Sequence, residues 1–208
     1  MSRRLINTVL EDDDDDDEEK GKDKPEERDV LFEKLLKTRT VLLSGEINKP
    51  LAEKVIQKLL LLEEAGSDPI KVFIDSPGGD ADAGFAIFDM MRFITPKVYT
   101  IGMGLVASAA AIILLASPKE CRLGLPNSHY LIHQPLSGIR GVATEIEIHA
   151  KELEKLRVKI NELIAKETGM NIVQVEKDTD RDFWMNSDEA VKYGLISSIV
   201  TKRGDMPS

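Results

Sequence analysis

The chain has 208 residues, 42% hydrophobic and 31% charged, with a formal net charge of −9; that length suits one domain with a sizeable core, and an acidic chain without basic patches interleaved with aromatics is no nucleic-acid binder. Its single cysteine, Cys121, cannot form an internal disulfide, which fits a reducing cytoplasm, and no cysteine and histidine cluster has the spacing of metal ligands, so no cofactor is expected. A Gly-rich phosphate loop bearing a Lys is also absent, so any energy from ATP must come through another protein.

In chain order, residues 1–30 carry 13 acidic and 6 basic side chains and hold −7 of the net charge, leaving residues 31–208 near neutral. The block from Glu11 to Glu19 has no apolar side chain and repels itself, so it reads as a disordered acidic insertion. The early apolar run Leu5 to Leu10 runs directly into acids, unlike a secretion signal. Residues 31–208 then form the domain. They repeat a strand followed by a helix: Val41-Leu-Leu with Lys49 to Ala65, Lys71-Val-Phe-Ile-Asp75 with Ala81 to Ile94, and Val98-Tyr-Thr-Ile with Ala107 to Ala116. Such spacing matches crossover connections between parallel strands and predicts an α/β architecture. Residues 98–117 are uncharged for 20 positions, but glycines at 102 and 104 fit a strand plus a buried helix rather than a membrane span. A long amphipathic helix is expected from Gly141 to Thr168, with Ile146, Leu153, Leu156, Ile160 and Leu163 on its apolar face and Gly169 at its end.

Several residues in this frame suit acyl-transfer chemistry. Ser108 lies in Gly102 to Ala116, a glycine turn feeding a helix of small residues that has no packing need for a hydroxyl. A serine at a first helical turn sits near unsatisfied N–H groups that stabilise an oxyanion. Upstream, Ser76-Pro77-Gly78-Gly79-Asp80 joins a strand to a helix, and paired glycines can turn their N–H groups toward a ligand. Of three histidines, His133 is best placed as a base, because Pro135 stops its strand and lets the imidazole leave the sheet. His129 reads as a surface or satisfied residue, and His149 belongs to a charged helical face. A carboxylate that orients the base has three candidates in Asp178-Thr-Asp-Arg-Asp182, among which residue physics does not choose.

Taken together, Ile74-Asp-Ser-Pro-Gly-Gly79, Ala83-Gly-Phe-Ala-Ile-Phe-Asp89, Leu125-Pro-Asn127, Ile132-His-Gln-Pro135, Ala143-Thr-Glu-Ile-Glu147, Asp178-Thr-Asp-Arg-Asp182 and Glu189-Ala-Val-Lys-Tyr-Gly-Leu195 resemble the family of ATP-dependent Clp protease proteolytic subunits, in order and in spacing. The resemblance covers about Glu27 to Val200. It implies a crotonase-like ββα superhelix with a handle, made of a Gln134 to Gly141 strand and the following helix, that joins heptameric rings into a tetradecamer. It implies a serine endopeptidase with Ser108 as nucleophile, His133 as general base and Asp182 as its orienting carboxylate. The backbone N–H groups of Gly79 and Ala109 would form the oxyanion hole, and Asp180 and Arg181 would sense ring contact. The implied partners are a Clp-family AAA+ ATPase, polypeptide substrates and further copies of the chain or a paralogue, in the cytoplasm. Leu5 to Leu10 is similar to the family's axial pore segment, which the acidic insertion would extend. One departure is Ala109-Ala110-Ala111, where the family usually follows its serine with Met-Gly; the donor at 109 survives and the volume beside the nucleophile changes. Against the peptidase stand a crotonase-type enzyme acting on acyl-CoA thioesters and a non-catalytic ring subunit.

Overall fold

Every second side chain of β2 (Ile70–Ser76) is buried, and that alternation seats it inside a parallel sheet between β1 (Thr40–Ser44) and β3 (Val98–Ala107). The computed structural model describes residues 34–206, so the acidic insertion and the axial segment of 1–30 lie outside the described residues. The crossovers are α1 (Lys49–Glu64) and α2 (Ala81–Phe93). Both start where a side chain accepts an orphan amide: Asn48 from Leu51 N–H ahead of α1, and Asp80 from Ala83 N–H ahead of α2. Beyond β3 the sheet continues through β4 (Arg122–Gly124) to β7 (Ser198–Ile199), giving the order β1-β2-β3-β4-β7.

The far end of β3 leaves this path. It pairs in parallel with β5 (His129–Ile132), which pairs antiparallel with β6 (Phe183–Asn186). To serve both neighbours β3 bulges: Ile74 pairs with Gly102 but Ser76 pairs with Val106, so two steps along β2 match four along β3. The expected glycine turn at 102–104 is therefore strand, and the following helix α3 is shorter than expected, spanning Ala109–Leu114. Pairing with β2, β4 and β5 on either side overrides the weak strand propensity of glycine there.

Most apolar side chains form one cluster between the sheet and α1, α2 and α3, with Ile112, Ile113 and Leu114 all buried in it. A smaller cluster, Tyr99, Ile101, Cys121, Leu123 and Val200, covers the opposite face. The long helix α4 (Ala143–Thr168) ends on Gly169 in the left-handed conformation, as its sequence predicts. Its expected apolar face is only partly used: Ile160 and Ile164 are buried, Leu153, Leu156 and Leu163 half-buried, and Ile146 exposed. The segment Gln134 to Gly141, which the resemblance gives as a strand, pairs with no strand among the described residues; it runs as an irregular segment into α4. Helices α5 (Ile172–Thr179) and α6 (Ser187–Tyr193) flank β6. Among the described residues no helix is long and apolar enough to cross a membrane, and no group of side chains is arranged to hold a metal ion.

Candidate active site

Sheet register brings the candidate residues together. Ala107 is the last residue of β3 and pairs with Leu131 of β5, and the next amide, Ser108 N–H, donates to Leu131 C=O at 2.9 Å. Ser108 stands between strand and helix with φ 56° and ψ −121°, one of two non-glycine residues with positive φ among those described. A bulky residue would not hold this conformation; the packed strand and helix on either side over-determine it. Its hydroxyl caps no helical amide and is left to His133, whose Nε2 lies 2.8 Å from Ser108 Oγ.

His133 follows the last residue of β5, and from there the chain is drawn out of the sheet by Gln134 N–H donating to Thr179 C=O at 2.6 Å. Because Ile132 pairs with Phe183 across the antiparallel ladder, the residues just outside it, His133 and Asp182, face each other. His133 Nδ1 and Asp182 Oδ1 are 3.3 Å apart, with the imidazole 14% and the carboxylate 61% exposed. That distance is longer than an ordinary N–H···O hydrogen bond, and catalytic contacts of this kind are often loose in unliganded sites. The other two acids are engaged elsewhere. Asp178 accepts from Gln174 and from Tyr193 Oη. Asp180 accepts from the Gln134 side chain and lies 3.9 Å from Arg157, while Arg181 is exposed. Of the three acids of the run, strand register thus places Asp182 beside His133. His129 is exposed at the start of β5, and His149 on α4 meets Ser137 at 2.7 Å and lines the same cleft as Ser108, whose hydroxyl is hydrogen-bonded to His133.

The Gly78-Gly79 turn lies against the same elbow. A Cβ on Gly78 would come within 2.6 Å of Ser108 Cβ, and one on Gly79 (φ +144°) would run into the Ile47 carbonyl. Ile47 N–H donates to Gly78 C=O and Asp80 N–H donates to Ile47 C=O, both at 2.8 Å, which fixes the turn from outside. Neither Gly79 N–H nor Ala109 N–H reaches an acceptor among the described residues, so both remain available to an incoming oxygen. Ser76, buried, accepts Gly78 N–H on its Oγ at 3.1 Å and holds the turn from beneath. Sequence reasoning passed over Ser76 and Gln134, which touch no reacting atom; their side chains bracket the turn and the base, and adjacency to the glycines and to His133 was the available signal.

In front of Ser108 opens a cleft of about 830 Å³. Its apolar wall is made by Ala109, Ala111 and Ile112 on one side and by Leu153, Leu156 and Ile160 of α4 on the other. Lys159 Nζ sits 3.9 Å from the centre of the Phe85 ring, tying α4 to α2 across the back.

A sequence profile of the family described as Clp protease matches residues 23–203. The chain is 67% identical over 187 residues to the "ATP-dependent Clp protease proteolytic subunit 2" of Treponema denticola, covering 89% of this chain and 94% of that one. It is 60% identical to the subunit of the same name in Treponema pallidum, over 86% of this chain and 90% of the relative. A solved structure of a ClpP1 mutant from Listeria monocytogenes superposes with a TM-score of 0.79 at 50% identity, covering 84% of this chain and 98% of that one.

Proposed function

Because the chain belongs to the Clp protease family, we propose that it is a serine endopeptidase that cuts unfolded polypeptides to short peptides, with Ser108 as nucleophile, His133 as general base and Asp182 as the carboxylate orienting His133. The observation that carries this reading is the 2.8 Å contact between Ser108 Oγ and His133 Nε2, with Asp182 on the opposite ring nitrogen. With the Nδ1 proton directed at Asp182, the Nε2 lone pair faces the serine. His133 takes the Ser108 proton as Oγ attacks the peptide carbonyl, and the oxyanion accepts from Gly79 N–H and Ala109 N–H. Collapse expels the amine, which leaves with the proton from His133, and water then repeats the sequence on the acyl-enzyme. Each oxyanion donor is worth about 100 to 1000-fold in rate.

The chain works by this reading as rings of seven stacked in pairs, fed by a Clp-family AAA+ ATPase that unfolds the substrate. The apolar side chains left exposed on α4 and the 134–142 segment, among them Leu136 and Ile148, support a role for that handle in joining rings. By the family pattern Asp180 and Arg181 couple ring contact to the triad, and Arg157 beside Asp180 lies on the handle helix. A second reading is a ring subunit that reacts only beside a paralogue. It draws support from Ala109-Ala110-Ala111 and from relatives numbered as subunits 1, 2 and 3 in their own organisms.

The test is intact mass after treatment with a fluorophosphonate, with Ser108→Ala as control. A single adduct that the variant lacks is the expected result. No adduct on folded wild-type chain would move the assignment to the paralogue-dependent subunit.

A further inference from the structure

We propose that Asp75 is a positioning residue for Ser108, acting through the bulge of β3. Leu105 N–H, which the bulge removes from the β2–β3 ladder, donates to Asp75 Oδ1 at 3.0 Å. Gly104 is held beside it at φ +57°, so close that a Cβ there would lie 2.7 Å from the same carboxylate oxygen. The three residues that follow, Leu105, Val106 and Ala107, are the ones that pair with β5. The position of the bulge therefore sets which residue of β3 meets Leu131, and so where Ser108 stands relative to His133 at the end of β5.

Asp75 is also covalently joined to the other half of the site. Its neighbour Ser76 accepts Gly78 N–H, and its own carbonyl accepts Gly45 N–H at 3.1 Å. One side chain thus stands where the strand leading to the oxyanion turn touches the strand leading to the nucleophile. A carboxylate or carboxamide oxygen can accept the Leu105 amide, whereas a methyl group leaves that amide unpaired and the bulge free to slip. Displacing a nucleophile by an ångström is enough to cost about 100-fold in rate.

The experiment compares the full-length wild type with Asp75→Ala, Asp75→Asn and Gly104→Ala, reading fluorophosphonate labelling rate and amide hydrogen exchange. Asp75→Ala is expected to label about 100-fold more slowly, while Asp75→Asn, which keeps the acceptor, stays within about threefold of wild type. Exchange at Leu105 and Ser108 is expected to accelerate in Asp75→Ala, with Val72 and Ile74 unchanged. Gly104→Ala, which pushes the carboxylate away without removing it, is expected to lose about tenfold and keeps the question decidable if Asp75→Ala does not fold. Wild-type labelling rates in Asp75→Ala, or an unaltered Ser108 amide beside a fast Leu105, overturn the proposal. It rests on the serine-peptidase reading for its chemical readout alone: an unreactive wild type defeats that reading, and exchange at Ser108 still decides the role of Asp75.

Discussion

Around Ser108 almost every side chain is buried: Ala109, Ala110, Ala111 and Ile113 beneath it, Val106 and Ala107 before it, Leu131 and Ile132 beside it. The outer half of α4 and the segment leading into it are the reverse, with Leu136 at 81%, Val142 at 63% and Ile148 at 64% exposed. The elbow and the glycine turn are held by strand register and core packing within one chain. The handle supplies a wall of the cleft and an apolar outer surface whose burial needs another molecule. The two regions meet at Asp182, which lies just ahead of β6 beside His133 and is 61% exposed.

The severest way to break this division is at that meeting point. Asp182→Asn is expected to lower peptide turnover by about 10⁴-fold, since an amide no longer favours the productive His133 tautomer. A loss below tenfold would move the orienting role to another acid of the run. Next comes Gly79→Ala, expected to cost about 100 to 1000-fold through the oxyanion donor, because a Cβ there displaces the turn from Ile47. Steady-state kinetics should show the loss in kcat; a change confined to KM would mean the turn only binds substrate. On the handle side, Leu136→Asp combined with Ile148→Asp is expected to reduce the mass of the assembly, measured by light scattering, while leaving the melting of each chain within about 0.5 kcal/mol of wild type, as exposed positions allow. Unchanged assembly would detach the handle from ring joining. Arg181→Ala is expected to lower both assembly size and peptidase rate, and leaving both unchanged would remove the proposed coupling.

The smallest effect concerns the packed side alone. Burial pushes the Tyr130 hydroxyl up to about 12, with the nearby Ser128 and Ser187 hydroxyls offsetting part of the shift. The unfolded phenol titrates near 10, so its contribution is fully present below pH 10 and is lost as pH rises toward 12, in total about 2 to 3 kcal/mol. Denaturant melts of Tyr130→Phe should stay within about 1.5 kcal/mol of wild type at pH 7, the usual worth of one hydroxyl's hydrogen bonding, and should fall less steeply above pH 10. Equal alkaline loss in both would exclude Tyr130 as the source.

Much of this was legible in the chain. The strand and helix repeat, the Ser76-Pro-Gly-Gly79 turn, the end of the His133 strand before Pro135 and the Gly169 cap are local signals, each set by the torsions or hydrogen-bonding capacity of a few neighbouring residues. Others were misread or undecided. The run 102–107 looked like a turn into a helix, and Asp75 looked like the end of a strand. The segment 134–141, a strand only by the family resemblance, pairs with no strand among the described residues.

Sequence by itself determined which residue types were on offer: a hydroxyl before a small-residue helix, an imidazole at a strand end, two glycines beside them, three acids in a row. Tertiary structure decided which of them meet. Pairing Ile132 with Phe183 brought Asp182 beside His133, and pairing Ala107 with Leu131 brought Ser108 to the same imidazole. Those choices depend on strand register, which is fixed by contacts between residues as far apart as Ile132 and Phe183, and no local window contains them.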